Sequence, residues 1–255
     1  MNLKLLYSRN NKVSFIIEDI TPAIANTVRR LVTDEVPTMA IDTVNIVKNS
    51  SAMYDEMFAH RLGLVPLKTD LKTYNLKGEC KCEGKGCSNC QTSLTMDVKG
   101  PATVYSGGLK AKDKEIKPVY DKMPIVKLLK EQEIEIEAIA VLGRGKQHAK
   151  FSPGLIYYRG VPEFSAKNNA KIPLCDSHSK ALSVRNSAPE TKGRKCMVCY
   201  DYDLQDIEVK SSDKDFIFTL ESWGQLGCRE ILSRAMDEMD SKLDDFEKQL
   251  KKLKL

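Results

Sequence analysis

No run of apolar side chains in this 255-residue chain approaches the roughly 20 that a membrane-spanning helix needs, so no membrane partner is expected. The opening stretch MNLKLLYSRNNKVSF alternates like a strand and lacks the apolar core and small-residue cleavage site of a secretory signal. A cytoplasmic protein is therefore expected. Charge of one sign is also missing: 40 Lys and Arg against 35 Asp and Glu leave a formal net charge of +5, well interspersed. No basic stripe carries interleaved aromatics, which argues against a stand-alone zinc protein that binds nucleic acid by itself.

Catalytic constellations are equally scarce. GRGK at 143–146 is a glycine-basic turn without the P-loop pattern G-x-x-x-x-G-K-[ST]. His60 and His148 each stand near a Lys or Arg, with no acid or nucleophile to complete a triad. Asp201 and Asp203 in DYD read as a solvated turn, because an ion for phosphoryl transfer needs further carboxylates brought to it. The sequence predicts no catalytic residues of its own.

What is present is a globular composition, 42% hydrophobic and 29% charged, long enough for one large domain or two ordinary ones. NLKLLY and KVSFIIEDI flank the turn-forming SRNN and predict a hairpin. Thr21 is placed to cap a helix with Pro22 in its first turn. Ile24, Val28, Leu31 and Val32 supply its apolar face, and Pro37 bars continuation. AIDTVNIVKN predicts a strand, and SSAMYDEMFAHRLGLVPL a second capped helix ending near Gly63. TSLTMDV, ATVYS and EIEIEAIAVLG make the middle of the chain largely β. Residues 165–199 are polar and without period, too poor in apolar side chains to build a core unaided. DFIFTLES restores a strand, with Phe216, Phe218 and Leu220 on one face.

Clustered cysteine in a reducing interior points to metal before disulfide. Cys80, Cys82, Cys87 and Cys90 form C-x-C-x4-C-x2-C, with Gly84 and Gly86 letting the loop fold back so that its two pairs converge. Four thiolates close a tetrahedral zinc shell and leave no position for substrate, so the site is structural; an iron–sulfur cluster is the alternative cofactor. Cys175, His178, Cys196 and Cys199 form a second set, C-x2-H and C-x2-C, with zinc-ribbon spacing in the core-poor segment. Zinc or an iron–sulfur cluster remain open there. Cys228 is expected to be a small buried residue.

Leu232, Met236, Met239, Leu243, Phe246, Leu250 and Leu253 step by 4 and 3 alternately, a seven-residue repeat with charge on the other faces. Such a helix either packs on its own domain or waits for a partner. The segment before it supplies one obvious strand to cover it, which favours the partner. A redox-sensing or electron-carrying iron–sulfur protein, with the heptad incidental, is the rival reading.

NTVRRLVTDEVPTMAIDTVNIVKNSSAMYDEMFAHRLGLVPL at 26–67 resembles the signature of the α-like assembly subunits of multisubunit RNA polymerases. LGRGKQHAKFSPG at 142–154 resembles a second motif of that family, and FTLESWGQL followed by the heptad helix resembles its C-terminal part. The archaeal, D-type form is the most similar. The resemblance implies an α+β fold: a discontinuous α/β dimerisation domain, 1–40 with 205–255, and an inserted β-rich domain, 41–164, bearing the cysteine loop 80–90. Residues 165–204 would be a variant of a ferredoxin-like insertion that in many relatives holds iron–sulfur clusters, here without the full C-x2-C-x2-C run. It also implies a small partner, subunit L, on the heptad helix, and a platform for the largest and second-largest subunits and small assembly subunits. Nucleic acid would be met only through the complex. Asn26, Arg29, Arg30, His60 and Arg61 would face the large subunits, and the cysteine loop would be the family's zinc loop.

Overall fold

The computed structural model describes residues 1–166 and 207–253; Cys175, His178, Cys196 and Cys199 lie outside them. The fold is mixed α/β, rich in sheet with few helices. β1 (Asn2–Arg9) and β2 (Lys12–Glu18) form the expected antiparallel hairpin. Asn10 turns it with φ 50°, a left-handed conformation that asparagine tolerates. α1 (Pro22–Arg30) follows, and Thr21 caps it: its Oγ1 accepts the Ile24 amide at 3.3 Å.

α1 runs into one π turn, Leu31–Glu35, closed by the Val36 amide on the Leu31 carbonyl at 3.3 Å. Ala25, Val28, Leu31 and Val32 are buried, whereas Ile24 is 43% exposed. The expected apolar face is thus corrected by one residue. The buried stripe is centred on Val28 and leaves Ile24 at its edge.

β3 (Pro37–Asn49) and α2 (Asp55–Gly63) come next. The serines before α2 do not cap it. Ser51 instead closes a turn, donating to Asn49 Oδ1 at 2.6 Å and accepting the Met53 amide at 3.2 Å. Beyond the cysteine loop lie β4 (Gln91–Lys99), β5 (Ala102–Tyr105), β6 (Lys110–Ala111), β7 (Pro124–Leu128) and β8 (Glu133–Arg144). β9 (Gly154–Ala166), β10 (Ile207–Ser222) and α3 (Cys228–Lys252) complete the described chain. Cys228 opens α3 half-buried.

Two compact units divide the chain. One comprises Met1–Thr27 and Tyr157–Thr219; the other comprises Val28–Ile156 and Leu220–Leu255. The first unit is a four-stranded sheet in the order β1-β2-β10-β9. Phe15 stacks on Phe218 at 5.3 Å, and Tyr158 meets Phe216 edge-on at 5.6 Å. The buried Ser14 hydroxyl donates to the Phe218 carbonyl at 2.9 Å. In β10, Phe216, Phe218 and Leu220 are buried, but Ile217 and Thr219 are buried as well. Both faces of this part of the strand are therefore buried.

The second unit carries the sheet β3-β8-β4-β6 and the small pair β5-β7. β8 alternates buried and exposed positions in its first half, and the register sets Leu94 opposite Ala138 and Met96 opposite Ile136. α2 drives Phe58 and Leu62 into this core beside Met39, Ile41 and Leu67, all fully buried. The cysteine loop is tied down at its ends, where the Asn75 amide donates to the Asn89 carbonyl at 2.8 Å.

Candidate metal centre and partner surfaces

The loop brings all four sulfurs within 4.8 Å of one another, and the cysteines are free of disulfides. Cys80 and Cys87 sulfurs are 3.5 Å apart, Cys82 and Cys90 3.6 Å, and Cys87 and Cys90 3.8 Å. With metal–sulfur bonds of about 2.3 Å, a regular tetrahedron has edges of about 3.8 Å. The four thiols therefore fit one metal ion in a closed shell. Local chemistry makes the turns: Glu83, Gly84 and Gly86 have φ of 52°, 78° and 87°. The Cys87 amide donates to Cys90 Sγ at 3.2 Å, the bond that closes the C-x2-C turn.

Electrostatics divides the thiols. An amide donated by Gly86 lowers the Cys82 thiol to about 6, so it is a thiolate at neutral pH. Burial raises Cys90 to about 12, and its ionisation needs a cation beside it. A bound metal ion would be that cation.

α3 carries two parallel stripes. Ile231 and Ala235 are fully buried, and Glu238 and Lys242 continue their line toward the π turn. One residue further on lies the heptad seam. Leu232 and Met239 are half-buried, while Met236, Leu243, Phe246, Leu250 and Leu253 are exposed, Phe246 by 60% and Leu253 by 64%. From 241 onward every described residue of α3 is exposed. The helix docks through its inner stripe and presents the seam outward.

Of the expected docking residues, Asn26 and Arg29 on α1 are half-buried, and Arg30 is exposed and pairs with Asp34 at 3.5 Å. His60 and Arg61 sit side by side, exposed, on α2; the Arg61 guanidinium donates to the Pro124 carbonyl at 2.7 Å, which fixes α2 to β7. Exposed Tyr54, Met57 and Leu64 flank them, an apolar continuation that the sequence reading missed. Spacing of 3, 4 and 3 through Tyr54, Met57, Arg61 and Leu64 was its signal.

GRGK proves to be a packing device. A Cβ on Gly145 would lie 1.9 Å from the Thr33 carbonyl oxygen, and the Lys146 amide donates to the Asp34 carbonyl at 2.9 Å. Its arginine was also missed. Arg144 reaches Glu35 on the π turn at 3.5 Å, Glu79 beside the cysteine loop at 3.4 Å and Glu238 on α3 at 3.1 Å.

The sequence has known relatives. The RNA polymerase Rpb3/RpoA insert domain matches residues 40–156. DNA-directed RNA polymerase subunit Rpo3 of Archaeoglobus fulgidus is 34% identical, with 96% of each chain covered. The chain belongs to the Rpo3 family. Its members from Methanosphaera stadtmanae and Pyrococcus horikoshii are 35% and 33% identical, covering 96% and 99% of this chain and 97% and 99% of their own. Rpo3 and the archaeal D-type form are two labels for one α-like family, so the motif resemblance and the full-length relatives agree. The insert-domain match spans the cysteine loop, α2 and the GRGK turn; α3 lies beyond it and is covered by the full-length relatives.

Proposed function

We propose that this chain is a non-catalytic assembly subunit of a cytoplasmic DNA-directed RNA polymerase. The observation that carries this reading is the outward apolar seam of α3, on a chain of the Rpo3 family. Leu243, Phe246, Leu250 and Leu253 are between 42% and 64% exposed, and burying such side chains contributes about 1.5–3 kcal/mol each. A small subunit, L, covers the seam with a helix of its own, and the pair carries the two largest subunits and the small assembly subunits. In this reading 1–40 and 205–255 serve dimerisation, 41–164 is the insert, and 165–204 is a cysteine-bearing subdomain. Asn26, Arg29 and Arg30 on α1, and His60 and Arg61 with Met57 and Leu64 on α2, meet the large subunits. Nucleic acid is met only through the complex.

The ion at Cys80, Cys82, Cys87 and Cys90 is zinc in this reading. Sulfurs this close leave room for one ion rather than a multi-iron cluster, and a closed thiolate shell stiffens the loop without offering a coordination site. Cys175, His178, Cys196 and Cys199 hold a second metal, zinc or an iron–sulfur cluster. Met239→Asp with Leu243→Asp tests the seam, because a carboxylate buried in an apolar interface is expensive. The double variant is expected to lose one-to-one copurification with the small subunit while keeping its metal; unchanged copurification would sink the seam assignment.

A further inference from the structure

We infer that Arg144 is the positioning residue for the partner helix: its guanidinium sets the rotation and tilt of α3 and so aims the seam. The inference rests on the seam reading above. Arg144 ends β8, and its two terminal nitrogens serve different elements. Nη1 takes Glu35 of the π turn at 3.5 Å, and Nη2 takes Glu238 of α3 at 3.1 Å. Nε is buried with no partner, so all bonding of the side chain goes through this fork. Lys242, one helical turn beyond Glu238, closes the circuit on Glu35 at 3.1 Å.

The partners are shielded. Side chains of Glu35, Glu238 and Arg144 are 13%, 21% and 26% exposed, which strengthens their pairing relative to surface ion pairs. Burial raises the Glu238 carboxyl, so its charge leans on the guanidinium opposite. Glu79 shares Nη2 at 3.4 Å but is 66% exposed, and it is the weak arm.

Position on the helix makes the network directional. Ile231 and Ala235 anchor the first two turns by burial, and beyond them no described residue of α3 is buried, so the next turns are held by the ion pairs. Glu238 and Lys242 are the next residues of that inner stripe, and Met239 and Leu243 of the seam follow each by one residue. A planar fork held by two carboxylates on different elements fixes direction as well as distance; a lysine in its place would hold one arm at a time. Glu238 and Arg144 are outside the seam. An effect on partner binding through the placement of α3 is therefore read together with the exchange of its amides, which a direct contact would leave unchanged in the free chain.

The test is a double-variant cycle on affinity for the recombinant small subunit, using the full-length chain. Glu238→Gln, nearly isosteric, is expected to weaken binding about tenfold, and Arg144→Gln by a similar factor. Combining them should cost little more than Arg144→Gln alone, because the Arg144–Glu238 pair is already lost in that variant. Arg144→Lys should fall between, and Glu79→Gln should bind within about twofold of the unaltered chain. Hydrogen exchange should show faster amides in 236–246 for the weakened variants, with the cysteine loop unchanged. Unaltered affinity for Glu238→Gln, or losses that simply add in the double variant, would overturn the inference. Met239→Asp with Leu243→Asp, run in the same assay, separates the two readings. If the seam variant binds normally, the seam reading falls and takes this inference with it. If it fails while Glu238→Gln binds normally, the positioning role alone is wrong.

Discussion

At the cysteine loop, single side chains decide the outcome through their surroundings. Cys82 is a thiolate at neutral pH because the Gly86 amide points at it, while Cys90 is held protonated by burial. Cys90→Ser should therefore lower metal content well below one ion per chain, since a buried hydroxyl cannot replace the thiolate that closes the shell. Elemental analysis of the purified chain checks this; full occupancy in the variant would contradict the four-sulfur site. Gly145 offers a second residue-scale test. Gly145→Ala pushes a methyl group against the Thr33 carbonyl, where the gap is 1.9 Å, and should destabilise the fold by about 1–3 kcal/mol in urea unfolding. An unchanged midpoint would mean that the backbone there yields freely. The cysteines were legible from spacing alone, because a metal shell is built locally. Gly145 was not legible, because its constraint comes from a carbonyl more than a hundred residues away in the chain.

Among the elements, α3 shows where sequence patterning stops. Its seam of Leu and Met stands out as a heptad, but the stripe that actually docks the helix is half charged, Ile231 and Ala235 followed by Glu238 and Lys242. Apolar periodicity finds the first stripe and passes over the second, whose meaning depends on Arg144 and Glu35 arriving from elsewhere. Similarly, Thr21 and Pro22 mark the start of α1 correctly because capping is local, while the π turn after it was not foreseen. In β10 the alternation placed Phe216, Phe218 and Leu220 on one face, and they are buried; that Ile217 and Thr219 are buried too was not legible, since alternation cannot report what covers the second face. The element-scale prediction concerns the inner anchor. Ala235 is fully buried, so Ala235→Glu should undock the first half of α3 and raise hydrogen exchange in 228–242. Exchange unchanged there would place the inner stripe elsewhere.

On the scale of the whole molecule, the chain combines an insert bearing a closed four-thiol loop with a helix that docks through its first turns and extends with its apolar side outward. Leaving that many large apolar side chains exposed is poor design for an isolated chain and sound design for a subunit. The motifs identified the family from sequence, and the full-length relatives agree with them. The central claim is that a partner covers the seam, and one measurement tests it most directly. Hydrogen exchange of residues 241–252 should be compared between the chain alone and the chain in the intact polymerase. The account predicts that these exposed turns become strongly protected on assembly, with the rise centred on Leu243, Phe246 and Leu250. Protection that stays at the level of the free chain, in an otherwise assembled enzyme, would contradict it.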